Sequence, residues 1–169
     1  MGIKKGQKIL IHGAAGGIGT AAVQIAKYLG AYVAATAGER DLEFVKALGA
    51  DVVIDYKNQR FDEMLKDYDA AYDTVGGDTY VRSFKVVKRG GIIVSMLEQM
   101  RPELERFGVK AIAQGTQINT ERLAKLAELV EKKILKPQID KVFPLDKAGE
   151  AMAYQQTGHP RGKVVLKVR

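Results

Sequence analysis

Cysteine is missing from all 169 residues, which excludes disulfides, iron–sulfur clusters and thiolate zinc sites built within the chain. Histidine is scarce: His12 and His159 stand far apart, so a zinc site would need carboxylate help, and no metal is expected. No run approaches the roughly 18 apolar residues that a membrane span requires. The opening Met1-Gly2-Ile3-Lys4-Lys5 lacks the apolar core of a secretion signal, and Gly6 stands where N-myristoylation wants Ser or Thr. No membrane partner is expected, and cytoplasmic residence is. A formal charge of +7 comes from lysines scattered among acids, with no basic block interleaved with aromatics. It reads as a solvated surface that attracts phosphorylated cofactors rather than as a nucleic-acid interface.

What is present is the composition of a globular protein, 46% hydrophobic and 28% charged, long enough for one domain or one domain and a fragment. Its most telling stretch runs from Lys8 to Lys27. Ile9, Leu10 and Ile11 form a short apolar run of the kind buried on both faces of a parallel sheet. Gly13, Gly16, Gly17 and Gly19 follow at once, and Ala21, Ala22, Val23, Ile25 and Ala26 then give a helix with a small-residue face. A helix N-terminus of this kind offers backbone N–H groups and a positive dipole end to a pyrophosphate.

Further strands are predicted at 31–36, 52–55, 70–75, 92–95 and 109–113. Helices are predicted at 41–48, 61–66 and 80–87, with a turn or two at 103–107. Strands alternating with helices at this spacing imply right-handed crossovers and a doubly wound, six-stranded parallel α/β sheet of order 3-2-1-4-5-6. An amphipathic helix is predicted from Thr120, taken as its N-cap, to about Leu135, with Leu123, Leu126, Ala127, Val130 and Ile134 on one face. Pro137 marks a change. Beyond it come a segment at 139–143, a helix from Asp146 to about Gln156 and a last strand at 162–168, for which no parallel crossover is foreseen. The chain divides as 1–136, the dinucleotide-binding unit, and 137–169, a tail.

The Gly-x-Gly-x-x-Gly template falls on Ala14-Ala15-Gly16-Gly17-Ile18-Gly19, with Ala14 at its first glycine. Gly16 would let backbone approach a pyrophosphate, and Gly19 would let the helix pack on strand one. Two rivals use such glycines. The ATPase phosphate loop needs Gly-Lys-Ser/Thr, whereas Thr20 and Ala21 follow Gly19. Short-chain dehydrogenases need a Tyr with Lys four residues on, and none of the seven tyrosines has one. A carboxylate at the end of strand two would select NAD by holding ribose hydroxyls. Thr36 stands there instead, followed by Ala37-Gly38-Glu39-Arg40, and an uncharged strand end with a guanidinium nearby suits a 2′-phosphate. NADP(H) is therefore preferred to NAD(H).

Six phrases, "GQKILIHGAAGGIGTAAVQIAKYLGA", "ALGADVVIDY", "YDTVGG", "KRGGIIVS", "VFPLDKAGEAM" and "GHPRGKVVLKV", span nearly the whole chain. In order and spacing they resemble the nucleotide-binding half of the medium-chain dehydrogenase/reductases, in the quinone oxidoreductase-like branch of the zinc-type alcohol dehydrogenase superfamily. The resemblance implies that Thr36, Gly38, Arg40 and Tyr56 surround the 2′-phosphate. It further implies that Val75, Gly76, Gly77 and Ser95 lie along the ribose and nicotinamide, and that Arg161 and Lys163 reach the cofactor from the tail. Tyr56 reads equally as a strand-end aromatic, and Arg161 and Lys163 as surface charges. Asp73 could serve only to orient strand four. His12 reads as a satisfied inward residue rather than a base, and no residue is a convincing catalyst.

Family members carry a preceding catalytic domain on which the segment after Pro137 folds; the chain is expected to be a piece of such an enzyme or the product of a split gene. The implied activity is hydride transfer from NADPH to a quinone, enone or related carbonyl acceptor, and the chain is expected to be inactive alone. Strand six is the implied seam of a homodimer. The alternative is an NADPH-binding assembly or regulatory module without catalysis.

Overall fold

The computed structural model describes residues 1–157 and 159–168. Gly158, inside the last quoted motif, lies outside them. Six strands, β1 (Lys8–Ile11), β2 (Tyr32–Ala37), β3 (Val52–Asp55), β4 (Tyr68–Asp73), β5 (Val87–Ser95) and β6 (Lys110–Ala113), form one sheet of order β3-β2-β1-β4-β5-β6. Every pairing in it is parallel. The predicted doubly wound order is the observed one.

The strand period explains the layering. Ile9 and Ile11 face one way and Leu10 the other, and all three are buried. On the first face, Ile9, Ile11, Val33 and Ala35 pack under α1 (Gly19–Tyr28) and α2 (Leu42–Ala47) through Val23, Ala26 and Val45. On the second, Leu10, Ala34 and Ile54 meet Phe61 of α3 (Phe61–Met64), Tyr80 of α4 (Gly77–Ser83) and neighbouring Phe84. Each fully buried aliphatic or aromatic side chain here contributes roughly 1.5–3 kcal/mol. Because every strand runs the same way, the ends of β1, β2, β4 and β5 meet on one edge, which is where such sheets bind ligands.

Boundaries differ from expectation where polar groups intervene. β4 stops at Asp73 rather than Val75, because the Asp73 carboxylate accepts the N–H groups of Val75 and Gly76, both at 3.0 Å, and turns the chain. α4 begins at Gly77 and ends at Ser83, and Val87 belongs to β5 rather than to a helix. The segment 103–107 is a 3-10 helix, Pro102–Phe107. α5 (Thr120–Glu131) is capped by Asn119, not Thr120: the Asn119 side chain accepts the Arg122 N–H at 2.8 Å. The apolar face foreseen for α5 is largely uncovered, with Leu123, Leu126 and Val130 exposed and Leu129 buried.

The tail corrects a second expectation. β7 (Ile139–Pro144), α6 (Ala148–Thr157) and β8 (Lys163–Lys167) form a parallel strand–helix–strand crossover in a separate two-stranded sheet. It touches the turn that follows the central strand β1 through a parallel bridge between Gly162 and Gly16. Among the described residues no helix is long and apolar enough to cross a membrane.

Candidate functional site

At the end of β1 the chain turns through Gly13 to Ile18 and enters α1. Gly13 adopts φ +66°, and a Cβ on it would lie 2.5 Å from the Thr74 hydroxyl oxygen. A Cβ on Gly19 would lie 2.6 Å from Ala14 Cα and closer still to the Gly13 carbonyl oxygen. The turn therefore closes only with glycine at both places. The first helical bonds run from Thr20 N–H to Gly16 O at 3.0 Å and from Ala22 N–H to Ile18 O at 3.0 Å. Ahead of them, the N–H groups of Gly17, Ile18 and Gly19 donate to no protein acceptor among the described residues. No acid stands in the first turn of α1. This end of the helix is a cluster of backbone donors with a positive dipole, the complement of a diphosphate.

The tail crosses this turn. Gly162 N–H donates to Ala15 O at 2.8 Å, and the Lys163 ammonium reaches within 2.9 Å of where a Gly17 Cβ would sit. Ala14 to Gly19 and Lys163 are thus brought together. At the end of β2, Gly38 lies beneath Tyr56, whose ring is 3.7 Å from a Cβ placed on Gly38. Arg40 stands beside them and Arg161 closes the group, its Nε donating to Asp41 Oδ1 at 2.6 Å. Arg40 also donates to the His159 carbonyl.

Thr36 keeps its place but turns its side chain away from the rim. It is buried, and its hydroxyl lies 3.0 Å from His12 Nδ1. His12 Nε2 lies 2.9 Å from the Ser83 hydroxyl, which itself donates to Thr79 O at 2.8 Å. That network assigns the tautomer: Nε2 carries the proton and donates to Ser83, and Nδ1 accepts from Thr36. Burial, aided by the Arg82 charge and opposed by Asp73, lowers the His12 pKa to about 4, so the ring is neutral at pH 7. His12 is the satisfied inward residue expected from the sequence.

At the ends of β4 and β5, Asp73 organises a third cluster. Besides the turn N–H groups it accepts the Ser95 hydroxyl at 2.7 Å, and Ser95 Oγ accepts the N–H groups of Leu97 and Glu98 at 3.1 and 3.0 Å. Glu98 caps Gly77 N–H at 2.8 Å and pairs with Arg101 at 2.7 Å. Ser95 is therefore a buried positioning group, while Val75, exposed, offers the turn's outer surface. Asp73, Asp41 and Glu98 are the residues that sequence reading assigned no site role. Asp73 had a local signal, an aspartate two and three residues before the turn it caps. Asp41 had none, because its partner Arg161 lies at the other end of the chain.

Among the described residues no three His, Cys, Asp or Glu side chains cluster as metal ligands, and the chain lacks cysteine, so this donor set does not fit zinc.

Comparison with known proteins adds independent findings. A family described as zinc-binding dehydrogenase matches residues 48–166. The chain is 38% identical over 169 residues to a 2-methylene-furan-3-one reductase of Solanum lycopersicum, covering 98% of this chain and 41% of that protein. It is 34% identical to an NADPH-dependent alkenal/one oxidoreductase, chloroplastic, of Arabidopsis thaliana, covering 95% and 40%. The structure of the quinone oxidoreductase from Coxiella burnetii superposes with TM-score 0.90 at 37% identity, over 99% of this chain and 54% of that one. The Escherichia coli quinone oxidoreductase complexed with NADPH superposes with TM-score 0.88 at 28% identity, over 99% and 59%. The chain thus spans about two fifths of those curated relatives.

Proposed function

Because the chain belongs to the zinc-binding dehydrogenase family, as the nucleotide-binding C-terminal domain of a medium-chain dehydrogenase/reductase, we propose that it binds NADP(H) along the carboxyl edge of its sheet. The observation that carries this reading is the row of unpartnered N–H groups at Gly17, Ile18 and Gly19, at a helix start that only glycine lets close. Those donors would hold the diphosphate, with Lys163 above them. Gly38, Arg40, Tyr56 and Arg161 would surround the 2′-phosphate. No carboxylate ends β2 to repel it, since Thr36 occupies that position and spends its hydroxyl on His12. Val75, Gly76 and Gly77 would flank the nicotinamide ribose, held by Asp73 and Ser95 from behind. The cofactor, when bound, supplies the hydride.

In the longer protein the acceptor is a quinone, enone or related carbonyl compound, a reading supported by relatives named for alkenal/one and quinone reduction. Residues 1–136 form the cofactor unit and 137–169 the part that meets a catalytic domain. In this reading the rim residues bind and orient the cofactor and none is assigned a catalytic role, so that the chain alone would be inactive or nearly so.

Fluorescence titration with NADPH and NADH tests the assignment, followed by turnover with a quinone. Selective NADPH binding without turnover is expected. Arg40→Glu is expected to weaken NADPH by at least tenfold, the loss of one charge-assisted contact, with NADH within about twofold. Equal losses would remove Arg40 from the phosphate site.

A second reading, an NADPH-binding assembly module or homodimer, draws on the uncovered Leu123, Leu126 and Val130 of α5 and on β6 as an edge strand. Sedimentation across a concentration series separates the two, a monomer at high concentration counting against assembly.

A further inference from the structure

Asp41 ends a single 3-10 turn, Glu39–Asp41, that runs directly into α2. The turn's own carbonyl serves the start of α2, the Leu42 N–H bonding to Glu39 O, which leaves the Asp41 carboxylate for other partners. Asp41 makes no side-chain capping bond. Its side chain, only 9% exposed, is turned the other way: Oδ1 accepts Arg161 Nε at 2.6 Å and Oδ2 lies 3.5 Å from Arg40 Nε. Arg161 donates onward to the Arg40 carbonyl, and Arg40 donates to the His159 carbonyl. A closed ring of contacts therefore ties the end of β2 to residues 159–161. From there the chain passes directly to Gly162, bonded to Ala15, and to Lys163 above Gly17.

We propose that Asp41 is a positioning residue for cofactor selection: it holds the Arg40 and Arg161 guanidiniums for a ribose 2′-phosphate and keeps the 159–163 strap over the glycine turn. The inference rests on the NADP(H) reading and deepens it. A carboxylate that engages Nε fixes the plane of a guanidinium while leaving Nη donors to serve another acceptor. Arg40 now spends an Nη2 donor on a neutral carbonyl, and a phosphate oxygen is the stronger acceptor for it. Two guanidiniums and one carboxylate leave the group cationic, so the acid orients without cancelling the attraction.

The test uses the full chain and its Asp41→Asn and Asp41→Glu variants, titrated separately with NADPH and NADH. Asp41→Asn is expected to lower NADPH affinity about tenfold and NADH affinity about threefold at most, the smaller loss coming from the loosened strap over the diphosphate, and Asp41→Glu to recover part of both. Amide hydrogen exchange at 161–163 is expected to quicken in Asp41→Asn before cofactor is added. A merely structural role would weaken both nucleotides equally. An unchanged ratio, or tighter NADPH binding, overturns the inference. If the unaltered chain itself fails to prefer NADPH, the cofactor reading falls and this inference with it; if it prefers NADPH and the variant's ratio is unchanged, only this inference falls. Should Asp41→Asn unfold, Arg161→Gln, altered at a half-exposed side chain, is expected to give the same selective loss, and equal loss of both nucleotides there refutes it.

Discussion

Substituting Gly19 by alanine puts the geometry of the glycine turn to a direct test. The added methyl would meet Ala14 Cα at 2.6 Å and Gly13 C at 2.8 Å, with the Gly13 oxygen nearer still. All are backbone atoms, so no side-chain rotation relieves the overlap, and either α1 or the turn must move. Overpacking typically costs about 1–3 kcal/mol, and the rigidity of these neighbours puts Gly19→Ala near the top of that range. For a chain of this size each kcal/mol lowers Tm by roughly 2–4 °C, so a drop of about 6–12 °C is expected. Gly17→Ala is the internal control: its methyl meets the Lys163 side chain at 2.9–3.0 Å, the far end of a flexible chain, and the Gly162 oxygen at 3.1 Å. A fall of no more than about 2 °C is expected there, from a cost of about 0.5 kcal/mol. Thermal unfolding followed by circular dichroism, with and without NADPH, reads both variants. NADPH should raise Tm in the unaltered chain and far less in Gly19→Ala, since a displaced turn misplaces the donors. A Gly19→Ala protein that melts within 2 °C of the parent, or a Gly17→Ala protein that loses as much, would refute the reasoning.

Two further outcomes concern the core and α5. Because the folded chain keeps His12 neutral down to about pH 4 while an unfolded histidine protonates near 6.5, the unfolded state binds more protons between those values. Stability from this group is therefore full above about 6.5 and falls as pH drops toward 4, by about 2 kcal/mol between pH 7 and pH 5. Urea unfolding at the two pH values should show that slope, and His12→Gln should lose most of it; an unchanged slope assigns the effect elsewhere. On α5, Leu126→Glu at a 44% exposed position should alter stability by no more than about 0.5 kcal/mol, whereas Leu129→Ala at a 9% exposed one should cost about 2 kcal/mol. Paired denaturant melts decide it, and equal losses would mean that the Leu126 face is covered.

The sheet was readable from the sequence because its signals are local. Ile9-Leu10-Ile11 and Val52-Val53-Ile54 are apolar runs closed by turn residues, and the helices between them keep their spacing. The turn after Asp73 was less readable. Thr74 and Val75 favour strands, and only a carboxylate reaching two and three residues ahead overrules them. The parallel pairing of β7 with β8 was missed because a two-stranded sheet with exposed faces lacks the continuous apolar runs that announce a buried parallel strand. Thr36 illustrates a different limit. Its position told correctly that no acid ends β2, but the direction of its hydroxyl depends on His12, which another strand supplies. Asp41 is the extreme case, for the partner its carboxylate holds, Arg161, stands 120 positions away.

The bridge from Gly16 to Gly162 has a bearing on how the molecule is made. The glycine turn arises from neighbours in the chain and can take shape early, whereas the Gly162 that bridges to it stands far along the sequence. Loops that long close late. On the proposed cofactor reading, then, the turn would be an open diphosphate cradle while residues 159–163 had yet to dock, and retention of a nucleotide would begin only once they had.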